Sequence, residues 1–127
     1  MLNRPSKRTI ANHQQYVAYW CRVGVYSEVL KYYNQSVNLR ANNDQMIKDV
    51  CKVGKLQLVK WIINKTNNKI NMRMDSDILF HYACRSALDN NDYRLSKWLI
   101  DFYDVVPHHN HIMFRYYLRS SHKKIKS

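Results

Sequence analysis

Glycine and proline are nearly missing from this chain: two of each occur among 127 residues. An all-β fold needs many tight turns, and those turns need such residues, so the scarcity argues against a sandwich or barrel. It favours helices joined by short polar connections. No apolar run approaches the roughly 18–20 residues that span a bilayer, so no membrane insertion is expected. Residues 1–10 are polar and basic and lack the apolar stretch of a secretory leader. Cysteine is sparse and odd in number, at Cys21, Cys51 and Cys84, without the short C-x-x-C spacing of a zinc or redox site. These absences predict free thiols in a reducing, intracellular location, cytoplasmic or nuclear.

Acidic residues are missing from both ends. Residues 1–27 hold Arg4, Lys7, Arg8 and Arg22, and residues 115–127 hold Arg115, Arg119, Lys123, Lys124 and Lys126, with no Asp or Glu in either stretch. Those ends supply nine of the twelve surplus positive charges, and the body between them is close to balanced. A surplus of +12 fits anionic partners such as nucleic acid, an anionic surface or an acidic protein. Asn, Lys, Tyr and Ile are abundant; their codons are A/T-rich, which bears on the source and not on mechanism.

What is present is a repeat. Cys21-Arg22-Val23-Gly24 returns as Cys51-Lys52-Val53-Gly54 and more loosely as Cys84-Arg85-Ser86-Ala87. Leu118-Arg119-Ser120-Ser121 fits the same slot once more, with leucine in place of cysteine. The period is roughly 30–34 residues, within the range of helical repeat arrays. Val37-Asn38-Leu39-Arg40 and Ile70-Asn71-Met72-Arg73 form a second signature, and each precedes its cysteine by the same interval. A third pairs Leu56-Gln57-Leu58-Val59-Lys60-Trp61-Ile62-Ile63 with Tyr93-Arg94-Leu95-Ser96-Lys97-Trp98-Leu99-Ile100, and Val29-Leu30-Lys31-Tyr32-Tyr33 is a weaker copy.

Each unit predicts a first helix ending at the cysteine, a turn at Gly24 or Gly54 where positive φ is allowed, and a second apolar helix. Helices are expected over 12–22, 26–34, 44–52, 55–64, 77–88, 92–103 and 110–121. Residues 89–92 form an insertion expected to bulge outward. The whole chain is one all-α domain: a basic lead (1–12), three units (13–36, 37–69, 70–103), a capping half-unit (104–122) and a frayed basic tail (123–127). A lone helix pair cannot bury both its apolar faces, but stacked pairs cover one another.

These motifs resemble the ankyrin repeat. Phe80-His81-Tyr82-Ala83-Cys84 is similar to its Thr-Pro-Leu-His-type start, Leu58-Val59-Lys60-Trp61-Ile62-Ile63 to its second helix, and Val37-Asn38 and Ile70-Asn71 to the Val-Asn that follows. The resemblance covers about residues 13–121. Departures are a missing Thr-Pro start and a single unit with the histidine. Lys-Trp-Ile/Leu-Ile with a preceding Ala-Cys looks like the degenerate ankyrin proteins of giant DNA viruses, which would place the chain in a host cell or virion. The resemblance implies a short solenoid of about 3.5 units and a structural hydrogen bond from His81 to the neighbouring connection. It also implies a non-catalytic protein-interaction role.

The residues offer little chemistry. The cysteines recur at one slot and read as small packing residues. His108, His109 and His111 precede the last helix, with His122 beyond, but no acid or cysteine completes a metal-ligand spacing, so a solvated turn is expected. Asp75, Asp77, Asp89 and Asp92 read as solvated, and Trp61 and Trp98 as packing between units. No nucleophile stands with a base, so no catalysis and no cofactor are expected. Expected partner-binding residues are the connection tips, Arg40, Asn42 and Asn43, then Arg73, Asp75 and Ser76. Arg40 and Arg73 share a slot and should project in a row, where guanidinium forks suit interfaces. The alternative is anion binding, of nucleic acid or an anionic surface, by Arg4, Lys7, Arg8, Arg115, Arg119, Lys123, Lys124 and Lys126. A structural part in a larger assembly is a third reading.

Overall fold

The computed structural model describes residues 12–126, with side chains through Ser120. Among the described residues the fold is all-α: seven helices and no strand. They are α1 (His13–Val23), α2 (Tyr26–Tyr32), α3 (Ala41–Val53), α4 (Leu56–Lys65), α5 (Met74–Asn90), α6 (Arg94–Tyr103) and α7 (Phe114–Lys126). The apolar positions explain the pairing. Met46, Ile47, Val50 and Cys51 of α3 are buried, and so are their equivalents one unit on, Leu79, Phe80, Ala83 and Cys84 of α5. This i, i+1, i+4, i+5 stripe recurs as Leu58, Val59, Ile62 and Ile63 in α4 and as Leu95, Ser96, Leu99 and Ile100 in α6. Each large side chain so buried contributes about 1.5–3 kcal/mol, and one continuous core results.

Consecutive helices pair as α1 with α2, α3 with α4 and α5 with α6, and the first helices lie side by side, α1 on α3 and α3 on α5. Both glycines end a first helix in the left-handed region, Gly24 at φ 86° and Gly54 at φ 72°. The turns also touch: a Cβ on Gly24 would meet Val53 Cγ2 at 2.9 Å, and one on Gly54 would meet Ser86 Oγ at 2.5 Å. The first turn is therefore packed against the second, and the second against the side of α5.

Connections are tied by local acceptors. Asn38 Oδ1 accepts the Arg40 N–H at 2.9 Å, and Asn71 Oδ1 accepts that of Arg73 at 3.0 Å. Left-handed turns follow at Asn42, Asn43 and Asp44, and again in the next unit at Asp75, Ser76 and Asp77. Asn and Asp bear this conformation at less cost than most residues. The right-handed runs therefore begin close to the expected 44 and 77.

Several expectations change. Residues 89–92 do not bulge: α5 runs on to Asn90, and Asn91 (φ 53°) closes it where the earlier units use glycine. Four extra residues amount to about one helical turn, so extension is the simplest accommodation. The last helix starts at Phe114 rather than 110. His108 Nδ1 and His111 Nδ1 accept the N–H groups of Asn110 and Met113, and these local bonds compete with helix. The backbone is helical through Lys126, so α7 takes in most of the segment set apart as a tail. Leu118 is half-exposed, unlike the three cysteines. The reason is that α7 leans on α6, where Asp101 accepts from both Tyr116 Oη and Ser120 Oγ. That contact turns the 116/120 side inward and leaves Leu118 outside.

Candidate interaction surface

The tips behave differently from the row of free guanidinium groups that the sequence predicts. Arg40 Nε donates to Asp44 Oδ1 at 2.7 Å and its Nη2 to Asp44 Oδ2 at 3.0 Å. Arg73 grips Asp77 in the same way, with Nη2 on Oδ2 at 3.0 Å. Arg73 also donates to the carbonyls of Tyr103 at 3.2 Å and Asp104 at 3.3 Å, across to the next connection. Both forks are therefore engaged within the chain, and Asp77 is not the solvated carboxylate expected. The Arg-x-x-x-Asp spacing, present in both units, is the signal that could have shown this. Asn42, Asn43, Asp75 and Ser76 remain exposed, with Lys48 Nζ 3.9 Å from Asp75.

His81 does not bond a neighbouring connection. It is exposed, edge-on to Phe80, and makes no side-chain hydrogen bond among the described residues. Arg73 ties that connection instead. In the first unit Gln14 does the equivalent work: its Nε2 donates to Asn38 O at 2.9 Å and its Oε1 accepts the Asn38 N–H at 2.7 Å. His13 Nδ1 adds a bond to Tyr32 O. A lone glutamine carries no motif, so nothing in the sequence marks Gln14 for this role.

Below the tips, the stacked first helices leave an exposed stripe that ends one residue past each cysteine. There stand Arg22, Lys52 and Arg85, all exposed. The Arg22 guanidinium lies 5.7 Å from the Tyr19 ring centroid, and Lys52 Nζ reaches across to α5, 4.7 Å from that of Tyr82. Next to this end runs an open groove of about 710 Å³, whose charged lining is Lys52, Lys55, Lys60, Arg94, Asp89 and Asp92. Arg94 holds Asp92 by a side-chain hydrogen bond, which lowers that carboxyl to about 2, so it too is paired rather than merely solvated.

The cysteines line the core. Burial pushes Cys21 and Cys51 up to about 12 and Cys84 to about 11, so thiolate is scarce at neutral pH. Trp61 meets Tyr33 edge-on at 4.9 Å, and Lys60 Nζ sits 5.8 Å from the Trp98 centroid, so both tryptophans bind neighbouring units. Tyr16 stacks on Tyr32, and Lys65 and Lys97 cover Tyr33 and Tyr116. Among the described residues no group of three His, Cys, Asp or Glu could hold a metal ion, and no helix is long and apolar enough to cross a membrane. Of the alternative anion-binding set, Arg115 and Arg119 are exposed on α7. Arg4, Lys7 and Arg8, and the side chains of Lys123, Lys124 and Lys126, lie outside the described residues. No protein-family model, curated protein or solved structure matches this chain.

Proposed function

We propose that the chain is a non-catalytic protein-interaction module of ankyrin type, a short solenoid of about 3.5 units of the kind giant DNA viruses encode. The observation that carries the reading is the side-by-side packing of α1, α3 and α5, with the Gly24 turn against the Gly54 turn and the Gly54 turn against α5. Equivalent positions of successive units then fall in rows, and a stack of this kind offers its partner the exposed stripe and the adjoining tips. The buried, protonated thiols fit a binding role better than a nucleophilic one. A photo-crosslinking residue placed at Asn43 or Ser76 tests the reading in the native cell. Capture of the same protein from both positions, and not from Asn64 on a second helix, is expected. Equal capture from all three positions refutes it.

A second reading has one observation in its favour. The helical backbone runs through Lys126, and helical spacing sets positions 115, 119, 123 and 126 on one face. That face would associate with nucleic acid or an anionic surface. Binding to generic duplex DNA that falls steeply with salt supports it, and no binding at about 50 mM salt excludes it.

A further inference from the structure

We propose that Arg22, Lys52 and Arg85 form a docking row for an extended acidic segment of a partner protein. The proposal rests on the protein-interaction reading above and assigns the chemistry of the partner.

The stripe has two ends of different character. At the tips the cations are matched: Arg40 with Asp44, Arg73 with Asp77, and Lys48 beside Asp75. At the turn end Arg22, Lys52 and Arg85 have no ion pair among the described residues. Asp89, one helical turn beyond Arg85, does not pair with it, and Asp49 is buried and accepts from Gln45 instead. The three cations are exposed and sit at one repeat position on adjacent helices, Arg22 and Lys52 near the ends of α1 and α3 and Arg85 within the longer α5. The groove beside them brings Lys55, Lys60 and Arg94 together with Asp89 and Asp92, of which Asp92 is held by Arg94. The result is a line of three cations without ion-pair partners among the described residues, Arg22 from the basic end and Lys52 and Arg85 from the nearly balanced body.

Spacing points to a polypeptide. Packed helices stand about 8–10 Å apart, and an extended chain advances about 3.3 Å per residue. Acidic residues at every third position would therefore meet successive cations. The aromatic neighbours offer little to a stacked base. Stacking of bases needs open ring faces, and Arg22 and Lys52 each cover one face of Tyr19 and Tyr82. The row is thus built to present charge rather than rings. Arg119, in the matching slot of the last unit, falls out of line because α7 leans on α6.

The test is fluorescence anisotropy with two labelled probes, polyglutamate and a single-stranded oligonucleotide of equal charge, at about 150 mM salt. The proteins are wild type, the triple reversal R22E/K52E/R85E, and a charge-matched control K31E/K65E/K69E on other faces. We expect wild type to bind polyglutamate, the row reversal to lose at least tenfold, and the control to stay within twofold. Equal losses in both variants would reduce the effect to net charge and overturn the proposal. Tighter binding of the oligonucleotide than of polyglutamate would also overturn it. If circular dichroism shows the triple reversal unfolded, the single alanine variants decide: each should weaken polyglutamate binding, and no loss in any of them refutes the row. The two readings fail separately. A partner crosslinked from the tips, with capture unaffected by R22E/K52E/R85E, sinks the row and leaves the module. Position-independent crosslinking sinks the module itself.

Discussion

His111 should make the docking of the last helix sensitive to acid. In the first two connections Asn38 and Asn71 accept the N–H two residues on with Oδ1. At the last connection His111 takes over, accepting the Met113 N–H on Nδ1 at 3.0 Å. An amide oxygen accepts at any ordinary pH, but a ring nitrogen accepts only while deprotonated, so the geometry requires the neutral Nε2–H tautomer. Burial and the nearby His81 charge lower the His111 pKa from its ordinary 6.5. Arg85 and Asp89 line the same hollow, and the Phe80 ring lies 5.4 Å away. Because the folded pKa is depressed, the unfolded segment binds the proton first. The stabilisation is complete above about pH 6.5 and is lost as pH falls through the unfolded value toward the folded one. A lost helix-start acceptor costs about 1 kcal/mol, roughly a fivefold shift toward undocked α7. The assay is urea unfolding of wild type and His111→Asn at pH 7.5 and pH 5.0. Asparagine supplies the acceptor the other units use, so the variant should be near wild type at pH 7.5 and lose about 1 kcal/mol less on acidification. Taking the difference between the two proteins cancels the titrating groups remote from His111, and His81→Asn in both backgrounds removes the one ring coupled to it. Parallel pH dependence of the two, or a ring titration of His111 at or above 6.5 by NMR, would refute the reasoning.

The remaining expectations concern the stack. Gly54→Ala places a Cβ 2.5 Å from Ser86 Oγ at φ 72° and should cost about 2–3 kcal/mol in thermal or urea unfolding. Adding Ser86→Ala should recover part of that loss, and additive losses would show the contact to be irrelevant. Arg73→Ala removes the Asp77 pair and the two bonds to the next connection. After allowance for solvent screening it should cost about 0.5–1 kcal/mol, more than Arg40→Ala, whose fork closes only on Asp44. The three thiols, held protonated by burial, should react with an aromatic disulfide reagent at least a hundredfold more slowly in the native protein than in urea. Fast native labelling of any one would contradict its place in the core.

The all-α character and the helix count were legible because their signals are redundant. Low glycine and proline, the recurring cysteine slot and the apolar stripes of 46–51 and 79–84 all point the same way. Boundaries failed where local side chains compete with the backbone. His108 and His111 hold in turns residues 110–113, which periodicity alone would make helical. The expected bulge at 89–92 vanished because nothing in Asp89-Asn90 stops α5 before Asn91 takes the left-handed turn. His81 misled through resemblance: its slot suggested a bond to the next connection, and that bond belongs to Arg73, at the start of the same unit.

Charge is where chain order and space diverge most. Counted along the sequence, the surplus sits at the two ends and the body is nearly neutral. Stacking of first helices changes the relevant neighbours. Arg22, Lys52 and Arg85 are each a full unit apart in the chain, yet they occupy one slot on adjacent helices. Several of the acidic residues that balance the body in a linear count are engaged elsewhere: Asp44 and Asp77 on the tip arginines, Asp92 on Arg94, and Asp101 on Tyr116 and Ser120. A near-zero sum over the body therefore conceals Lys52 and Arg85, which fall in line with Arg22 of the basic end. In a repeat protein, charge is better read slot by slot than segment by segment, since a slot becomes a row wherever units stack.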